Sequence, residues 1–181
     1  MINIRELDLD ARIQWHFLHW LLTDKTINPG IDHPLVKAAV ARCASMLELL
    51  MRGKQSSDNA ARARRVERNA WRAASKANRA AKKASLEPEK RGMAAAWSVV
   101  WELEAAANAS CAAANAAWSL HCAPEKRAAI IEDSAIYAAL SMVRAAQGNA
   151  WIEASKHMAD KIVELNCEGS ARRSPQEPRQ P

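Results

Sequence analysis

Five glycines, one phenylalanine and one tyrosine are all that 181 residues hold of these types. So little glycine leaves no material for a phosphate-cradling loop, and neither a Gly-rich phosphate motif nor a GxSxG elbow occurs. No window alternates β-branched and polar residues along a strand's length, which argues against a sheet. No run approaches the roughly 18–20 apolar residues of a membrane span. The start, MINIRELDLD, carries acids and lacks the apolar centre of a signal peptide, so export by that route is not expected. Cys43, Cys111, Cys122 and Cys167 form no CxxC pair. They are expected as reduced thiols, three of them in the core, in a cytoplasmic protein.

What is abundant is alanine: 39 residues, 31 of them between positions 60 and 150. Alanine is the best helix former, so the chain is expected to be all-α. Helices are expected over 8–22, from Asp32 and Pro34 to Gly53, and from a cap at Ser56, Ser57 or Asp58 to about Ser85. Three more are expected from Pro88 to about His121, over 124–146 and over 149–167. Six helices with short connections make a compact bundle, a single domain over 1–167. The tail, 168–181, has no core residues and is expected to be disordered. The phrases NAWRAASK (69–76) and NAWIEASK (149–156) echo each other, as do two PEKR starts at 88–91 and 124–127. Such echoes suggest helical pseudo-repeats of roughly 35–40 residues.

The 88–121 helix has no Lys or Arg beyond Met93 and is apolar nearly all round, the mark of a central, buried helix. Trp97, Trp101, Glu104, Asn108, Cys111, Asn115, Trp118 and Cys122 share one side of it. Glu104, Asn108 and Asn115 read as a hydrogen-bonding spine, with Glu104 in reach of an Arg from the preceding helix. In WHFLHW (15–20), His16 and His19 lack the further ligands a metal needs and are expected beside packed Trp, so no metal is assigned. Trp15 and Trp20 point to different sides, which would leave one of them exposed as a contact. No catalytic constellation stands out, so neither enzyme activity nor a cofactor is expected.

The charge has one concentrated source. Residues 60–84, AARARRVERNAWRAASKANRAAKKA, hold nine cations and a single acid, Glu67. On a helix, Arg64, Arg65, Arg68, Arg72, Lys76, Arg79, Lys82 and Lys83 fill an arc of about 120° along about 30 Å. Alanines and Val66 fill the opposite arc. A plain solvent face normally mixes signs to gain i,i+4 pairs, and this one does not. It suits an acidic protein partner or a phosphate backbone. Glu132, Asp133 and Glu153 on other helices could instead neutralise it from within the fold.

The stretches HPLVKAAVARCASMLELL, ARARRVERNAWRAASKANRAAKKA and AAANASCAAANAAWSLHC give residues 33–160 a rhythm that resembles Ala-rich, Trp-punctuated helical proteins of bacteria and phages. That group includes immunity proteins of polymorphic toxin systems. The resemblance implies a non-catalytic protein that binds and blocks a macromolecule, a toxin or a component of a defence system. The alternative is a nucleic-acid-binding helical protein without sequence preference, since long cations without base-reading groups supply charge but no code. A homodimer is left open by the Ala-faced helices.

Overall fold

The computed structural model describes residues 11–53, 58–86, 93–145 and 150–171. Six α-helices account for most of them: α1 (Ala11–Thr23), α2 (Lys37–Met51), α3 (Asn59–Ser85), α4 (Met93–Ser119), α5 (Pro124–Ala145) and α6 (Ala150–Ala171). A short 3-10 turn at Pro29–Asp32 joins the first two, and the described residues contain no strand. The fold is an all-α bundle, as the composition demands.

Local signals explain most boundaries. Asp58 occupies the position before α3, and Pro124 opens α5, where its missing N–H costs nothing. Gly53 takes φ 71° after α2, a left-handed conformation that stops the helix cheaply. The second helix departs from expectation, because Asp32 and Pro34 do not start it. Asp32 closes the 3-10 turn and pairs with Lys25 and Lys37, and α2 begins only at Lys37. At the other end α6 runs on to Ala171, four residues past the expected limit, while 172–181 lie outside the described residues. The first PEKR phrase and the expected start at Pro88 lie outside them too. The echoing phrases do not mark equivalent places: 69–76 lie mid-way along α3, whereas 150–156 open α6.

α4 is the axis of the bundle, with α3 and α5 packed antiparallel along two of its sides. The 3-10 turn, α1 and α2 cover a third side. Ala105, Ala106, Ala107, Ala109, Ala112, Ala113, Ala114, Ala116 and Ala117 are all buried. Such short side chains let neighbouring backbones come close, and buried serines complete the contact. Ser110 Oγ donates to the Ala70 carbonyl of α3 at 2.8 Å, and Ser134 Oγ of α5 donates to the Ala112 carbonyl at 2.8 Å. Ser141 of α5 accepts from the Gly30 N–H at 3.2 Å. The larger apolar groups of α1 and α2, among them Phe17, Leu18, Leu21, Leu22, Val40 and Leu47, are buried in the same core.

Gly30 marks the tightest approach. A Cβ there would stand 2.7 Å from the Ala106 nitrogen and closer still to the Ala105 carbonyl, and both neighbours are helix backbone that cannot swing away. Gly30→Ala is therefore expected to destabilise the fold by about 1–3 kcal/mol. The midpoint of denaturant unfolding, compared with wild type, checks this.

Candidate functional site

α3 packs by its alanine arc: Ala63, Val66, Ala70, Ala73, Ala74, Ala77 and Ala81 are buried. The opposite arc is therefore turned to solvent. Arg64, Arg65, Arg68, Arg72, Lys76, Arg79, Lys82 and Lys83 are all exposed, and Arg62 extends the same surface at its edge. Leu86, 74% exposed, adds an apolar group at the far end.

Within the fold, the described residues pair several charges with one another. Ion pairs join Asp32 to Lys25 and Lys37, Glu48 to Arg52, Glu104 to Arg144 and Glu164 to Lys161, and a hydrogen bond joins Glu67 to His121. None takes one of the eight cations. Asp133 is exposed on α5, and the Glu153 side chain lies outside the description. Glu67, the single acid of the basic stretch, turns inward: its Oε2 lies 2.7 Å from His121 Nε2 in a largely buried pair just past the end of α4. The one negative charge on α3 thus ties the bundle together and leaves the stripe purely positive.

The other expected sites are rearranged. Glu104 meets Arg144 of α5 at 3.1 Å rather than an Arg of α3. Asn115 is buried, but Asn108 is only half-buried, and the cross-helix bonds are made by Ser110, Ser134 and Ser141 instead of an Asn spine. On the side of α4 bearing the large and polar groups, Trp97 is 47% and Trp118 37% exposed near the two ends, while Cys111 and Asn115 between them are buried. Trp15 and Trp20 are both partly buried against the core, with Trp20 Nε1 donating to Asp24 at 2.9 Å, so the first helix offers no open Trp. Of the thiols, Cys43 and Cys111 are buried, Cys122 is half-buried and Cys167 exposed; all four are free. Burial pushes Cys43 up to about 12 and Cys111 to about 11, so neither is a nucleophile near neutral pH.

Two clefts of about 400 Å³ each open on the surface. One lies between α1 and α2 and is edged by His19, Asp32, Lys37 and Glu48. The other lies between the 3-10 turn and α4, against Trp101 and Arg144. The first also holds the hydroxyls of Ser45 and of Thr23, the latter donating to the His19 carbonyl at 2.9 Å. Among the described residues no three His, Cys, Asp or Glu side chains group as metal ligands, and no helix is long and apolar enough to cross a membrane. Comparison with protein-family models, curated proteins and solved structures finds no match to this chain.

His19 adds a pH dependence. Burial pulls its pKa below 6.5, and Glu48 opposes that shift in part. The unfolded chain therefore binds the proton more readily, so stability is lost as pH falls from 6.5 through the lower folded value. His19→Gln, which cannot take up that proton, is expected to flatten this part of the profile. Thermal unfolding from about pH 7 to about pH 5 measures it.

Proposed function

We propose that this chain is a non-enzymatic protein that binds an acidic macromolecular partner through the outward face of α3 and inhibits it by occlusion. The reading is supported above all by eight exposed cations that share one arc of α3, none of them joined to Glu67 or Glu104. Like charges four apart, as in Arg64, Arg68, Arg72 and Lys76, cost a helix a few tenths of a kcal/mol per pair. α3 tolerates them because its other arc is buried against α4, and a binding partner gives the cost a use.

The chemistry follows from the residue types. Arg can hold carboxylates in bidentate pairs, and Lys adds a long-range attraction that speeds encounter. A stripe about 30 Å long on the outward face of a helix can cover an active or binding surface without any cleft of its own. Occlusion of this kind suits an inhibitor of immunity or anti-defence type, whose target is a toxin or a component of a defence system.

Arg68→Glu, Arg72→Glu and Arg79→Glu combined are expected to abolish capture of a nuclease-resistant acidic protein from source lysate, with helicity by circular dichroism unchanged. Undiminished capture by the triple variant would remove this face from the account. If nucleic acid alone is recovered, the face instead tracks a phosphate backbone, and affinity then falls steeply and linearly with log salt.

A further inference from the structure

The outward arc of α3 carries charge and nothing for an apolar pocket to grip. From Ala60 to Ser85 its exposed residues besides the cations are Ala60, Ala61, Ser75, Asn78 and Ser85. Trp71, the single aromatic of the helix, is half-buried against the core, and Leu86 stands past the last cation. A stable contact between folded proteins takes about 800 Å² from each side, with a core poor in charge and rich in aromatics. The arc is about 30 Å long and about 10 Å wide, roughly 300 Å², and has no such core. What it does have is a regular line of charge. From Arg64 to Lys83 eight cations follow one another, one per about 4 Å of helix axis.

An extended chain of consecutive acids carries one charge per about 3.5 Å, close to that repeat. A block of like charges this dense does not fold on itself. We infer that the face takes an unfolded acidic segment of the partner protein, about nine consecutive Glu or Asp residues laid along α3. The inference rests on α3 being the contact face. Packing of the alanine arc against α4 holds the cations in line before the segment arrives, so the ordering cost falls on the segment. Covering such a run blocks whatever the run itself engages, which gives occlusion a concrete form. A single nucleic-acid strand binds by stacking its bases on aromatic side chains, and this arc exposes none. The strands of a duplex wind once in about 34 Å, so a straight stripe meets each only where it crosses.

Fluorescence anisotropy at low salt with four labelled probes tests the acidic run. They are nine consecutive Glu, nine Glu each separated by two Ser, oligo-dT and a DNA duplex. Only about three charges of the spaced peptide fit along the stripe at once. Wild type is expected to bind the consecutive run more than about tenfold more tightly than the spaced peptide, and more tightly than either nucleic acid. Arg64→Gln, Arg72→Gln and Lys83→Gln should each weaken that binding by a similar factor, about two- to threefold, because exposed pairs share the work evenly. Equal binding of the two peptides overturns the inference, as does tighter binding of either nucleic acid or no binding of any probe. A loss of more than about tenfold at one of the three positions, with none at the others, also overturns it, since that is the hot spot of a folded contact. In each of these cases the charged face itself still stands if the Arg68/Arg72/Arg79 triple Glu variant loses capture of the lysate protein. The face fails, and the run with it, if the consecutive Glu peptide binds wild type and the triple variant alike.

Discussion

Between Ala105 and Ala117 the central helix presents almost nothing larger than a methyl group to its neighbours, and helix backbones approach on three sides. At that spacing a long or charged side chain has no room. The serines admitted reach a backbone group directly: Ser110 donates to the Ala70 carbonyl, Ser134 to the Ala112 carbonyl, and Ser141 accepts from the Gly30 N–H. Each such bond is worth about 1 kcal/mol net, and leaving either partner buried and unpaired would cost more. Gly30 belongs to the same constraint, since the 3-10 turn meets α4 where even a Cβ has no place.

The distribution of charge follows from this packing. α4 cannot carry cations, and the inward arc of α3 must be alanine, so the positive charge of that region collects on the outward arc of α3. The single acid of α3 is drawn inward to His121, where a largely buried hydrogen bond fixes the end of α4 against α3. Core packing and surface chemistry are two consequences of one alanine-rich design. The proposed function uses the second without disturbing the first, because none of the eight cations contributes to the buried contact.

Much of this was legible in the residues. Alanine content and helical period gave six helices, the buried face of α3 and the outward stripe, because an amphipathic helix announces its own orientation. Pro124 and Gly53 marked their boundaries through backbone conformation, and Asp58 marked the start of α3 by its position, without a side-chain capping bond. Less legible was anything that depends on which helix meets which. A helical wheel groups Trp97 and Trp118 with Cys111 and Asn115 but cannot say that the first two stay open while the other two are buried. Ser110 and Ser134 look like any small residues until a facing carbonyl comes within reach, whereas Asn108 and Asn115 look polar enough to form a spine that the packing does not use. Asp32 resembled a helix cap, yet two lysines on either side of it in sequence claim its carboxylate and hold its pKa below the usual range.

The most direct measurement is a lysine footprint of the protein with its captured partner. Acetylation of Lys76, Lys82 and Lys83 on α3 would be compared with that of Lys25, Lys37 and Lys126 elsewhere, with and without the partner. Protection confined to the three α3 lysines is the result this account predicts. Protection of Lys25 and Lys37 instead, or unchanged labelling along α3, would contradict it and move the contact to another surface.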